Sequence, residues 1–258
     1  MNNMRRQTII NSILIVLTFI VAFYGERILN SYISLTFVTT FLKISYSYVW
    51  WILPTLLVLG VIYGFKKIIK NLGLNKGLIT GFLFSIITVL PMIVSSAIIG
   101  KIDDNLDFGT LLHNTFIAGF FEEYFFRGFL FGILFRKLKW GFIPASILGG
   151  LIFGLGHLYQ GSTLFETTGI FAITAIGGVW FSWLYIEWEN NLWVPIFLHT
   201  FMNLSWILFE VSNNALGGVY TNLFRVITIA LTIIITIRYH KKRGLSINRK
   251  NLIINNNS

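Results

Sequence analysis

The sequence predicts an all-α fold, a polytopic membrane helix bundle of about eight transmembrane helices. Composition is the first reason: 258 residues that are 55% hydrophobic and only 12% charged supply too little polar side chain to cover a water-soluble globule. The second is length, because the apolar residues fall into runs of about 20, enough for a helix to cross a ~30 Å hydrocarbon core. The third is charge placement. Lys and Arg sit in short clusters between the runs and not along one face, so the net charge of +10 reads as a topology signal and not as a nucleic-acid footprint.

The runs, in order, cover 8–24, 46–65, 78–99, 109–135, 141–159, 164–186, 191–210 and 219–238. The first follows Arg5 and Arg6 as a signal peptide would, but it has membrane length and no small-residue cleavage site, so it reads as a retained helix. Residues 31–42 are moderately apolar and fit an interfacial helix or an extension of the first loop. Eight crossings put Arg5 and Arg6, Lys66, Lys67, Lys70 and Lys76, Arg136, Lys137 and Lys139, and Arg238, Lys241, Lys242 and Arg243 on one side. That side is expected to be cytoplasmic, with both termini there. The other side receives Asp103, Asp104 and Asp107, with few cations beyond Arg27, Lys43 and Lys101. Glu187 and Glu189 mark an inner turn without cations, and acids weigh little in this rule.

No period repeats along the chain, so 1–258 is expected to form a single integral membrane domain with its motif-bearing core at about 109–210. Only the polar tail Asn255, Asn256 and Asn257 is of low complexity. Gly149, Gly150, Gly154 and Gly156, with Gly128 and Gly132 on the preceding run, supply small residues that let helix backbones approach closely. There is no Cys, which excludes disulfides and thiolate metal sites and leaves any metal to His, Glu, Asp or Asn.

Chemistry concentrates in three places. EEYFFRG, residues 122–128, puts two carboxylates and a guanidinium in mid-membrane, where each charge costs about 2.5–3.5 kcal/mol on insertion scales. Glu123 and Arg127 are four apart on one helical face, in the favourable acid-before-base order. Glu122 points elsewhere, and a dry carboxylate with no cation suits a general base. Glu122 is therefore expected to do chemistry while Glu123 with Arg127 holds the helix in register; the opposing reading is one buried polar network with no catalytic role. His157 follows Phe153 by four residues near the end of its run, and by itself it fits packing or an interface as well as catalysis. His199 and Asn203 lie one turn apart, so an imidazole and a carboxamide can both donate to one oxygen, as oxyanion stabilisation requires. An interhelical polar contact would explain the pair equally. His113, about 180° from Glu122 on the same helix, is discounted, as are His240 in the basic C-terminal cluster and Glu166 near an outer loop. Trp50, Trp51, Trp183, Trp188 and Trp193 read as interfacial anchors.

Together, Glu122-Glu123-Tyr124-Phe125-Phe126-Arg127, Phe153-Gly154-Leu155-Gly156-His157 and His199-Thr200-Phe201-Met202-Asn203 resemble, in order and spacing, the signature of the CPBP (Abi) family of intramembrane proteases. That family includes the type II CAAX prenyl endopeptidases and bacteriocin-processing and self-immunity proteins. The resemblance spans roughly 110 to 210 and fills every signature position. It implies an endopeptidase acting on a membrane-associated peptide or protein, in which Glu122 and His157 activate water and His199 and Asn203 hold the oxyanion. Glu122, His157 and His199 would be three zinc ligands with an open fourth position. No His-Glu-x-x-His helix is present and Asn is a poor zinc ligand, so a metal-free glutamate mechanism without a cofactor is preferred. An Ile-, Asn- and Lys-rich chain looks like a low-GC bacterium, which favours the cell membrane of a bacterium, a lipid bilayer as surroundings, and a small secreted or signalling peptide or a membrane-protein terminus as substrate. A non-proteolytic immunity or cell-envelope regulatory scaffold is the alternative. A proton-coupled transporter would show repeats and broken helices that this sequence lacks.

Overall fold

Every apolar run of the sequence folds into helix. The computed structural model describes residues 3–33, 36–37, 40–102, 104, 106–242 and 244–255. Asp103, Arg243, Asn256, Asn257 and four residues of the 31–42 stretch lie outside the described residues. Among the described residues there are nine helices and no strand: α1 (Asn3–Tyr32), α2 (Thr40–Tyr63), α3 (Ile68–Leu72), α4 (Leu78–Ile99), α5 (108–137), α6 (Phe142–Gly156), α7 (Leu164–Glu187), α8 (Trp193–Ile207) and α9 (Val219–His240). Six spans are long and apolar enough to cross a membrane: Asn3–Tyr32, Leu42–Tyr63, Leu78–Ile99, Phe142–Gln160, Leu164–Glu187 and Val219–His240. The other two expected crossings, α5 and α8, are the ones that carry the Glu-Glu-Arg and His-Asn motifs. α8 has only 15 residues, about 22 Å at 1.5 Å per residue. α5 is continuous but irregular, with i→i+5 bonded π segments at His113–Ile117 and Tyr124–Phe131.

Local signals set the ends of the elements. Asp107 caps α5 by accepting from the Thr110 backbone N–H at 3.0 Å. Thr163 caps α7 by accepting from Glu166 N, and the Glu166 carboxylate accepts from Ser162 N, so Glu166 is occupied in a capping turn. Gly73 and Gly77 adopt left-handed φ of 80° and 79°. A Cβ at Gly73 would lie 2.0 Å from the Asn190 carbonyl oxygen and one at Gly77 2.1 Å from Asn191 Nδ2, so only glycine lets the turn after α7 dock here.

α5 is the central helix. All eight residues of Tyr124–Phe131 are buried, as in a helix surrounded by others. Toward α1 and α2, Phe125 stacks on Phe19 at 4.3 Å and on Trp51 at 4.7 Å between ring centroids. Toward α6, Phe126 meets Phe153 edge-on at 5.0 Å. The expected close glycine contacts fall between α6 and α7, where Gly150 meets Gly178 and the Ala175 carbonyl, and Gly154 meets Phe171. Gly149 stands clear, with Leu130 at 3.9 Å as its nearest neighbour.

Some of the expected interfacial tryptophans bond inside the protein. Trp51 is in the aromatic stack, Trp188 donates to Thr236 Oγ1 at 3.0 Å, and Trp193 donates to the Leu74 carbonyl at 3.0 Å. His240 departs further from expectation: it is 6% exposed, with Nε2 donating to the Glu187 carbonyl at 2.6 Å and Nδ1 facing the Gly244 carbonyl at 3.1 Å. The buried Glu187 carboxylate accepts from Ser246 N and Ile247 N, which turns the C-terminal segment back across the end of α7 and the start of α6. There the carbonyls of Asn251, Leu252 and Ile253 take the N–H groups of Phe142, Ile143 and Gly141, satisfying donors at the start of α6 that have no partner within the helix.

A Cβ at Gly178 would lie 2.9 Å from Gly150 Cα and 3.4 Å from Arg127 Nη2, whereas one at Gly177 meets nothing within 4 Å. Gly178→Ala is expected to destabilise the protein by about 1–3 kcal/mol through overpacking. Gly177→Ala is expected to leave stability unchanged or raised. Thermal unfolding in detergent measures both.

Candidate functional site

α5 and α8 run antiparallel in direct contact. A Cβ at Gly119 would fall 3.0 Å from Thr200 Oγ1 and 3.2 Å from Thr200 N, so the absence of a side chain there sets the approach. This register places Asn203 beside Asn114 and His199 beside Glu122 and Glu123. The wide turn at His113–Ile117 presents the Asn114 carbonyl, which accepts from Asn203 Nδ2 at 3.1 Å. π segments of this kind recur at functional sites.

The two adjacent carboxylates have different surroundings. Glu123 is 0% exposed; its Oε1 lies 3.2 Å from Arg127 Nη1 and accepts from His199 Nδ1 at 2.8 Å. The Arg127 contact is an ion pair without hydrogen-bond alignment, since Nη1 makes no hydrogen bond. The guanidinium, 2% exposed, lies 4.5 Å from the Phe153 ring centroid and 5.4 Å from that of Phe181. Cation–π contact thus compensates part of its lost hydration. Glu122 is 22% exposed, and its Oε2, which has no hydrogen-bond partner, faces His199 Nε2 at 3.8 Å. His199 therefore bridges the two acids, one ring nitrogen toward each.

His157 stands at the C-terminal end of α6. Its Nδ1 bonds the Phe153 carbonyl at 2.8 Å and its ring packs on Phe153 at 4.4 Å. The same Phe153 ring meets Arg127 and lies 6.5 Å from the His199 ring, so it adjoins both His157 and the charged cluster. The expected residues are thus brought together in two steps. Glu122, Glu123, Arg127 and His199 touch directly, while His157 and Asn203 join through Phe153 and through the α5–α8 contact.

Among the described residues no three His, Asp or Glu side chains gather as a metal-binding group. His199 and His157 each engage Nδ1 with a protein acceptor, Glu123 and the Phe153 carbonyl, which leaves Nε2 as the free ring nitrogen of both.

Residues that sequence reasoning passed over complete the site. Phe181 lies over both Arg127 and His199, with ring contact to the latter at 5.8 Å, and nothing in its sequence context marks it. Gly119 and Gly178 are small residues in long apolar runs, a signal that was present and was applied only to their neighbours. Tyr48 of α2 stacks on Phe121 at 4.4 Å, meets the His113 ring at 6.0 Å and lies within electrostatic reach of Glu122. His113, discounted on 3.6-residue counting, shares this flank. A π turn takes in one extra residue and so rotates the helix on either side by about 100°.

Residues 104–205 match the family model of the Rce1-like type II CAAX prenyl endopeptidases. No curated protein and no solved structure matches the chain. The match runs from the turn before α5 into α8, and so includes Glu122, Glu123, Arg127, His157, His199 and Asn203. Over residues 104–205 this multi-pass membrane protein is similar to the Rce1-like type II CAAX prenyl endopeptidases, in keeping with the wider CPBP family of membrane proteases.

Proposed function

We propose that the protein is an intramembrane endopeptidase that hydrolyses a peptide bond in a membrane-associated peptide or protein, with Glu122 and His157 activating water and His199 and Asn203 holding the oxyanion. The observation that carries this reading is the contrast between the two carboxylates. Each keeps its Oε2 without a hydrogen-bond partner, but Glu123 is 0% exposed with Oε1 held by Arg127 and His199, whereas Glu122 is 22% exposed and faces the His199 imidazole at 3.8 Å.

The Glu123 carboxylate can only accept, so His199 Nδ1 donates to it and Nε2 is turned toward Glu122. Two carboxylates and one guanidinium leave an excess negative charge, and a single proton shared by Glu122 and His199 makes the cluster neutral, as a low-dielectric site demands. With that proton on His199, Nε2–H is a donor for a developing oxyanion and Glu122 is free to take a proton from water. His157 donates Nδ1–H to the Phe153 carbonyl, which leaves its Nε2 lone pair to orient the same water. Asn203 uses one amide hydrogen on Asn114 and keeps the second for the oxyanion. Water attacks the scissile carbonyl as its proton passes to Glu122, and Glu122 returns that proton to the leaving nitrogen as the tetrahedral intermediate collapses. No step requires a metal.

The placement proposed is the cytoplasmic membrane of a bacterium with both termini inside, and the substrate a small secreted or signalling peptide or a membrane-protein terminus. A second reading, a non-proteolytic immunity or envelope scaffold, has one observation in its favour: His199 Nδ1 and Asn203 Nδ2 already have protein partners.

Glu122→Ala and His157→Ala are each expected to slow cleavage of a membrane-tethered peptide by the purified protein about 100-fold or more with the melting temperature kept; undiminished cleavage in either removes its assignment. Glu123→Ala and Arg127→Ala are expected to lower both rate and stability, the latter by about 3–5 kcal/mol, because each strands a buried charge. Chelators are expected to leave the rate intact, and a loss that zinc restores would reverse the metal-free mechanism. In cells, a phenotype that survives Glu122→Gln would favour the scaffold.

A further inference from the structure

The inner ends of the helices frame an open polar hollow apart from Glu122 and Glu123. It has a volume of about 320 Å³ and lies between the end of α5, the turn after α7 and the returning C-terminal segment. Arg136, Lys137, Ser246 and Asn251 line its polar walls, and Phe135 and Ile186 line the apolar remainder.

Its walls are fixed in advance. Arg136 Nη1 donates to the Asn71 carbonyl at 2.8 Å and to Tyr185 Oη at 2.6 Å, which holds the guanidinium at the cavity edge. Asn251 Nδ2 donates to the Ser246 carbonyl at 2.8 Å, and Ser246 N donates to Glu187. The electrostatics are one-sided. Lys137 is exposed and makes no ion pair among the described residues, where the charges acting on it are those of Arg136, Lys70 and Lys67. The two acids nearby are engaged elsewhere: Glu187 is fully buried, with two backbone N–H groups and His240 on its carboxylate, and Glu189 bridges to Lys76 at 3.1 Å. Two cations line the hollow, and with Lys67 and Lys70 acting on one of them they repel one another until an anion enters.

We infer that this cavity binds the phosphate-bearing headgroup of an anionic phospholipid. Depth argues for a lipid over a free anion. The cavity opens where helices carrying the basic clusters end, at the membrane–water boundary, and Phe135 and Ile186 offer apolar surface beside the cations for the glycerol and first methylenes. Basic pockets between transmembrane helices on the positively charged side suit such headgroups.

The test is a thermal-shift titration of the full-length protein in neutral detergent with phosphatidylglycerol, phosphatidylcholine or inorganic phosphate. Lys137→Glu is compared with Lys139→Glu, which makes the same charge change at an exposed residue outside the lining. Phosphatidylglycerol is expected to raise the melting temperature of the parent protein and of Lys139→Glu, and Lys137→Glu to need roughly tenfold or more lipid for the same rise. Equal responses of the two variants overturn the site. Phosphatidylcholine acting as well as phosphatidylglycerol overturns the anionic preference, and inorganic phosphate acting at equal concentration overturns the lipid in favour of a free anion. Melting temperatures measured without lipid show whether either variant is misfolded. If Lys137→Glu is, Lys137→Gln replaces it, and the same rightward shift is expected to a smaller extent.

Discussion

A carboxylate with 0% exposure cannot stay ionised in an apolar bundle unless a cation and a donor reach it, and this requirement on Glu123 organises the structure. Arg127 reaches it from within α5, and His199 reaches it from α8. Meeting the demand of one buried charge thus fixes the contact between two helices that are far apart in sequence. Arg127 has its own need for compensation, and the rings of Phe153 and Phe181 supply it, drawing α6 and α7 to the same point.

This accounts for the packing around the pair. Helices must come close for a guanidinium and an imidazole to meet a carboxylate, and Gly119 against Thr200 and Gly150 against Gly178 permit that approach. The same crowding makes Glu122 different from its neighbour. Glu123 takes up the cation and the Nδ1 donor on its Oε1, and the adjacent acid is left 22% exposed facing His199 Nε2, the condition the proposed chemistry needs. Two like side chains in succession acquire unlike environments because a helix turns about 100° between them.

The end of α7 and the C-terminal segment follow a separate logic. Glu187 is fully buried, and backbone N–H groups of the C-terminal segment satisfy it instead of a cation. That bond returns the chain to the start of α6, the helix whose far end holds His157, so the tail supports the motif-bearing hairpin from below. His240 looked like one more member of a basic cluster, yet it is inside, because the segment beyond it folds back to supply its carbonyl partner.

Hydropathy and motif spacing carried much of this in advance. Membrane class, the order of the helices and the Glu123–Arg127 pair follow from local rules: about 20 apolar residues per crossing, four residues per helical neighbour, and the cost of charge in hydrocarbon; the gathering of Glu122, His157, His199 and Asn203 was legible only through the family resemblance. What the sequence could not express was register between helices and departure from the ideal helix. Whether His199 bonds Glu123 or Glu122, that Asn203 finds the Asn114 carbonyl, that π turns bring His113 to Tyr48 and that Phe181 covers Arg127 all depend on contacts between segments tens of residues apart. A period read along one chain says which face a side chain occupies; only packing decides which other helix that face meets.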